Sequence, residues 1–573
     1  MTAALPSSPD VFAQASWEDI APYYDELAAR PLTDRAAIER WLHDWSQIES
    51  LVTEAASRAM IAYTINTADE EREKAHLRFS SEVLPRLEER SVGLARRLLD
   101  SGYERPDLAT TLRRFATQSA IFREANVPLF SELEELGARY QRMTGTMTAP
   151  WDGEDRPLPQ LQPFLRSDDR EVREQAFRAM TAPYVNQHDA LADLFDEMYR
   201  RRQEVAHNAG FANFRDYIFP AKNRFDYTPA DCERFHEAVE TVVVPAVERL
   251  FAERRERLGL ARLRPWDLQV DPYGTSVLKP FDTAEEFTTT TRRVFEQVDP
   301  VLGGEFATMM HEGLLDLLSR RGKAPGGYCD TLNYSGRPFI FMNAVGIVDD
   351  VNTLLHESGH AFHAFASHQQ PLVWQRHPGS EAAELASMSM ELLASRHLLA
   401  PTGFFQPDDY RRAVVEHLDD VLLSLTHIAS VDAFQTWIYT SGEGHDRNAR
   451  DAAWLRFRER FEPGVDWSGL EAERIARWYR QLHIFLYPFY YIEYGIAQLG
   501  ALQVWRNSLR DPADAVRQYR EALALGATRP LPDIYRTAGA KLTFDVAEIA
   551  ELVALVERES RRLRDELPAR SAA

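Results

Sequence analysis

The stretch 351-VNTLLHESGHAFHAF-365 decides how this chain is read. An α-helix turns once in 3.6 residues, so side chains four apart share a face. His356 and His360 are four apart and can aim two imidazoles at one point. Glu357 is rotated from His356 by about 100°. It can reach a water at that point without being a ligand. Val351, Leu354, Leu355, Phe362 and Phe365 supply the apolar stripe that buries such a helix. Asp349 and Asp350 stand where an N-cap belongs. With 16 histidines in the chain, a chance H-E-x-x-H is expected about 0.04 times. The motif is therefore a usable filter, but a helix whose histidines are satisfied by ordinary hydrogen bonds survives it.

Two imidazoles in this arrangement suit zinc, and a catalytic zinc needs a third protein ligand and one open position. Downstream, 380-SEAAELASMSMELLASRH-397 offers Glu381, Glu384 and Glu391. Glu384 and Glu391 are seven apart, which is nearly the same direction on a helix. Glu384 is read as the ligand and Glu391 as a group orienting a histidine. Glu381 reads as part of a solvated helix face. Spacing alone does not choose among the three.

A third cluster is 483-HIFLYPFYYIEYGIAQLGALQVW-505. His483, Tyr487, Tyr491 and Tyr494 make one stripe if the segment is a single helix, with Tyr490 beside them. Aromatic stripes at this spacing are usually core. Buried phenols nevertheless need hydrogen-bond partners, and phenol and imidazole donors are groups that stabilise a developing oxyanion.

The rest of the chain reads as mostly helical. Apolar residues recur at three and four through residues 33–102, with Thr33 or Asp34 as a cap and Gly102 as a stop. Helical spacing returns at 168–210, ending at Gly210, and again over 229–258, 283–321 and from 351 onward. Gly, Pro and Thr cluster in 143–165, which predicts turns and short strands. The segment 263-LRPWDLQVDPYGTSV-277 has strand character, and a further strand is predicted from Pro338 to Val345. Metallopeptidases use such a strand to hold extended substrate by main-chain hydrogen bonds.

Composition narrows the function classes. The chain has 573 residues, 45% hydrophobic and 27% charged, with a formal net charge of -22. That charge repels nucleic acid and anionic lipid. No apolar run approaches the roughly 20 residues of a membrane span. The first residues have neither the basic nor the apolar region of a secretory signal. Two cysteines, Cys232 and Cys329, make no disulfide framework. A cytoplasmic protein is expected, with no nucleic-acid or membrane partner, and a monomer by default.

Together these segments resemble the thimet oligopeptidase and oligoendopeptidase F family of zinc peptidases, closest to the oligoendopeptidase F and Pz-peptidase branch. The resemblance rests on GKAPGGYC (322–329), PFIFMN (338–343) and DDVNTLLHESGHAFH (349–363). It extends to Glu384, Ser387 and Glu391, and to the series from His483 to Tyr494. It implies a mainly α, two-lobed helical shell around a deep substrate channel, with a small β-sheet beside the HExxH helix. The division drawn on it is an N-terminal helical lobe over 1–200 and a catalytic domain over 201–573.

The resemblance also implies one Zn2+ per chain, held by His356, His360 and Glu384. Glu357 would activate water, while His483, Tyr487 and Tyr494 would face the scissile carbonyl. The implied activity is endopeptidase cleavage of short oligopeptides. Pro488 and Phe489 depart from the glycine-rich stretch of the thimet branch, which puts that branch's flexible substrate adaptation in doubt. A dipeptidyl carboxypeptidase, a zinc aminopeptidase, and a non-catalytic helical peptide-binding protein with a structural metal stay open as alternatives.

Overall fold

The computed structural model describes residues 5–274, 277–320 and 322–567. Helices dominate them, and the strands form two small sheets. The predicted helix signals operate as physical caps. Asp34 accepts from the Ala37 amide at 2.9 Å and starts the long helix Arg35–Ile65. Gly102 and Gly210 stop their helices at φ +66° and +88°, a conformation open to glycine without a Cβ clash. The predicted helix over 229–258 is a continuous path, Pro229–Ala238 and Val244–Arg257 joined through a π turn at Val239–Val243.

The 143–165 region holds the expected short strands. β1 (Thr148–Trp151) pairs with β2 (Glu154–Pro157), antiparallel. Asp152 and Gly153 both have positive φ, the geometry of a two-residue hairpin turn. The second sheet contains β3 (Leu315–Leu318), β4 (Tyr328–Leu332) and β5 (Arg337–Ala344). Its order is β3-β5-β4, with β5 parallel to β3 and antiparallel to β4. β5 is buried along most of its length and leads directly into the helix Val348–Ser367.

Two expectations change. The region 283–321 is two helices, Ala284–Val298 and Pro300–His311, followed by β3. Asp299 and Pro300 restart the helix, Gly313 turns the chain at φ +68°, and the apolar run Leu315–Leu318 then finds the edge of β5. The segment 263–277 is not a strand. Pro265–Asp267 is one 3-10 turn, and the buried Asp267 carboxylate takes Arg170 and Arg173. That ion-pair anchor replaces a ladder; residues 275 and 276 lie outside the described residues. The division at 200/201 passes through the middle of the helix His188–Asn208. One apolar cluster contains Phe195, Met198 and Val205 with Trp454, Trp478 and Phe485.

Candidate metal centre

The metal helix, Val348–Ser367, begins ahead of the predicted cap residues Asp349 and Asp350, with Ile347 at the N-cap. Asp350, at its third position, accepts from the amides of Val345, Gly346 and Ile347 at 2.8, 2.7 and 2.9 Å. One carboxylate oxygen thus gathers three amides just outside the helix, so Asp350 caps from inside the first turn. Val351, Leu354, Leu355 and Phe362 are buried as the stripe requires.

The i,i+4 spacing places the His356 and His360 rings with centroids 5.0 Å apart. The helix Ser380–Ser395 lies against them. Gly359 makes this possible: a Cβ there would lie 2.5 Å from the Ser387 Cα and 2.7 Å from the Ala386 carbonyl oxygen. At that close approach, Glu384 Oε2 comes within 3.2 Å of His356 Nε2 and 3.6 Å of His360 Nε2. The three donor atoms all lie within 4.8 Å of one another. The carboxylate is fixed on both oxygens, by Ser387 Oγ at 2.9 Å and by the Tyr490 hydroxyl at 2.8 Å. Glu391 Oε1 meets His356 Nδ1 at 2.6 Å, which turns Nε2 toward Glu384. His417, from the helix Pro407–Thr440, stands 3.7 Å from the other Glu391 oxygen.

Burial and these partners set the charges. Burial pulls His360 down to about 4, which keeps its imidazole neutral and available as a donor to a cation. Burial opposes charge on His356 too, but its hydrogen bonds to the Glu384 and Glu391 carboxylates outweigh it and raise that imidazole well above its ordinary value. Against a burial penalty, the two histidines hold Glu384 down at about 2. A carboxylate with two imidazoles, and with no lysine or arginine paired to it among the described residues, is a donor set that fits a divalent cation, and two nitrogens with one oxygen fit zinc. Glu357 is 8% exposed and lies on the adjoining face, outside the three-donor group. Burial pushes it up to about 7.

Glu381 is a correction. It is buried rather than solvated, and the Tyr227 hydroxyl donates to it at 2.6 Å. The aromatic series is another. It is not one helix: Leu482–Leu486 ends, the chain turns through Tyr487–Tyr490, and a new helix runs from Tyr491 to Ser508. Pro488 cannot continue the first helix, and Phe489 takes φ +63°. The turn sends the phenols in different directions. Tyr490 meets Glu384, and Tyr494 lies 3.3 Å from His483 Nε2. Tyr491 instead takes the Gln481 amide. Tyr487 is 54% exposed, with its ring 6.0 Å from that of His483.

Distant residues brace this turn. The Phe489 amide donates to Gln435 Oε1 at 2.8 Å, and its carbonyl accepts from Arg224. Arg202 holds the carbonyls of Ile484 and Phe485. Sequence reasoning named Tyr490 without giving it a site role and missed Gln435, Arg224 and His417. Tyr490 was within reach, because Pro488 marks the break that redirects it. The other three lie on remote helices and carry no local signal.

The fold and this centre define a mainly helical protein in which two histidines and a glutamate could hold a metal ion beside a buried glutamate. The model for Peptidase family M3 matches residues 164–553, and that for the Peptidase M3 N-terminal domain matches residues 10–122. The chain belongs to peptidase family M3. It is 22% identical over 395 residues to an oligoendopeptidase F homolog of Borreliella burgdorferi, covering 66% of this chain. It is 23% identical over 390 residues to the oligopeptidase PepF of Bacillus subtilis, again covering 66% of this chain. The matches span only 63% and 55% of the lengths of these curated relatives. A solved structure of Pz peptidase A with an inhibitor superposes with a TM-score of 0.91 at 26% identity, covering 96% of this chain and 98% of that one.

Proposed function

We propose that this chain is a zinc-dependent endopeptidase acting on short oligopeptides. The observation that carries the reading is the convergence of His356, His360 and Glu384 within 4.8 Å beside the buried Glu357. The relatives' names, oligoendopeptidase F homolog and oligopeptidase PepF, support the substrate class. The two free cysteines, Cys232 and Cys329, support a cytoplasmic setting. No helix of the described residues is long and apolar enough to cross a membrane.

His356, His360 and Glu384 hold the ion, with Glu391 fixing the tautomer and aim of His356. When bound, zinc supplies Lewis-acid polarisation of the peptide carbonyl and acidifies water. Glu357 accepts a proton from the attacking water on its carboxylate and returns it to the leaving amine. Its apolar burial favours the protonated form it needs for the second task. Tyr494 and His483 sit 3.3 Å apart and present donors to the carbonyl oxygen as negative charge develops. Burial lowers His483 to about 4, so it acts as a neutral imidazole. Tyr487, exposed at the turn, adds a third donor when a peptide is present.

The test is metal analysis of purified protein together with mass-spectrometric mapping of cut sites in a mixed peptide pool. About one zinc per chain and internal cuts that stop on chelation and return with Zn2+ are expected. A pool left intact by the zinc-loaded protein would refute the reading.

A further inference from the structure

The C-terminal half of the metal helix borders a cavity of about 250 Å3. His360 belongs to both the cavity wall and the metal centre. The chain carries 88 acidic residues against 66 basic ones. Even so, no Asp or Glu lines this cavity among the described residues; Arg376, His363, His368 and His377 do, with Asn333.

Arg376 is held by carbonyl groups and meets no carboxylate among the described residues. Arg376 donates from Nε to the Gln370 carbonyl at 2.9 Å and from Nη1 to the Asn333 carbonyl at 3.0 Å. Those bonds fix the plane of the guanidinium and leave Nη2 without a protein partner among the described residues. His363 is 6% exposed, and its Nε2 has no hydrogen-bond partner among the described residues. That nitrogen is itself covered, so the charged group this wall offers a ligand is the Arg376 guanidinium. The wall itself is braced: His377 Nε2 meets Asn333 Oδ1 at 2.7 Å, and Arg114 donates to the His377 carbonyl at 2.6 Å.

We propose that this cavity is a carboxylate subsite for the peptide substrate, with the Arg376 guanidinium as the charged contact. The proposal rests on the peptidase reading above. The carboxylate is an acidic side chain or the C-terminus of the peptide. From His360 to His368 the helix rises about 12 Å, and an extended peptide advances about 3.3 Å per residue. The anionic group therefore sits within about four residues of the scissile bond. A planar arginine fork is the group suited to a carboxylate.

The test uses zinc-loaded full-length protein and two series of internally quenched peptides. One series exchanges Gln for Glu at each of four positions on either side of the cut. The other compares a free C-terminus with its amide, one to four residues beyond the cut. A charge-assisted hydrogen bond predicts a kcat/KM preference of about 10- to 100-fold for the carboxylate at one register, carried mainly by KM. A preference in the first series assigns the cavity to a side chain; one in the second assigns it to the C-terminus. Arg376→Gln should bring the ratio close to one, and Arg376→Lys should restore part of it. His363→Phe, which fills the cavity from another wall, should also remove it and serves if Arg376→Gln does not fold. A ratio near one at every register in both series overturns the subsite, and cleavage of the neutral peptides would then leave the peptidase reading standing. A preference unchanged in the variants also overturns it. No cleavage of any peptide overturns both.

Discussion

Gly359→Ala tests whether helix approach builds the metal centre. Its Cβ would stand 2.5 Å from the Ser387 Cα, about 0.9 Å inside ordinary contact at 3.4 Å. The atoms it meets are backbone, so a side-chain rotation cannot relieve the clash. The helix Ser380–Ser395 must move, and Glu384 and Glu391 move with it. Overpacking of this kind costs about 1–3 kcal/mol, while replacing glycine in a helix returns about 1 kcal/mol. The net loss of stability is about 0–2 kcal/mol. Unfolding entropy of about 2.1 cal/mol/K per residue makes 1 kcal/mol worth only about 1 °C in a chain of this length. Melting is therefore the insensitive readout. A shift approaching 1 Å in a ligand and in the partner of His356 should lower zinc affinity about 10- to 100-fold and turnover on the order of 100-fold. Chelator competition measures the first and quenched-peptide kinetics the second. Gly93 lies in the helix Leu84–Asp100 with nothing within 4 Å of its would-be Cβ. Gly93→Ala should leave zinc affinity unchanged and stabilise by up to about 1 kcal/mol. Wild-type zinc affinity and turnover in Gly359→Ala would refute the reasoning.

Three further outcomes are expected. Glu357→Gln should keep zinc, by metal analysis, and lose about 100- to 10,000-fold in kcat. Burial sets the free carboxyl at about 7 and a bound cation opposes that rise, so the wild-type acid limb should lie at or below pH 7 and be missing in the variant; retained kcat would remove Glu357 from its role. Gln435→Leu strips the acceptor from the Phe489 amide at its positive-φ turn. An unpaired buried donor costs about 1–3 kcal/mol, so kcat should fall on the order of 10-fold with zinc affinity unchanged, and an unaltered kcat would show that the turn does not depend on this bond. Glu49 is pushed up to about 7 by burial, although the Trp374 indole donates to it at 2.9 Å. The folded chain keeps a proton that the unfolded chain releases near the ordinary value of 4.5, so stability falls as pH rises from 4.5 to 7. Glu49→Gln should flatten denaturant midpoints over that interval, and an unchanged slope would assign it to other groups.

Helix signals were legible because they are local. The Asp34 cap, the Gly102 and Gly210 stops and the stripe of the metal helix each depend on neighbours within a turn or two. The His356/His360 pair is local for the same reason, since four residues of helix impose one face. Glu384 is different in kind. Spacing left three glutamates open, and the close packing at Gly359 and Ser387 is what sets Glu384 beside the imidazoles and puts Glu391 behind one of them. Glu381, on the same helix, finds Tyr227 instead of solvent. The strand at Leu315–Leu318 misled because an apolar run takes its conformation from the edge it meets, here β5. The aromatic series misled because its period was read through Pro488, whereas Gln435 and Arg224, more than fifty residues away, hold the turn that sends Tyr490 and Tyr491 to different partners. Periodicity and capping act over a few residues and can be read along the chain. Which side chains meet depends on burial and pairing among segments hundreds of residues apart, and that information exists only once they pack.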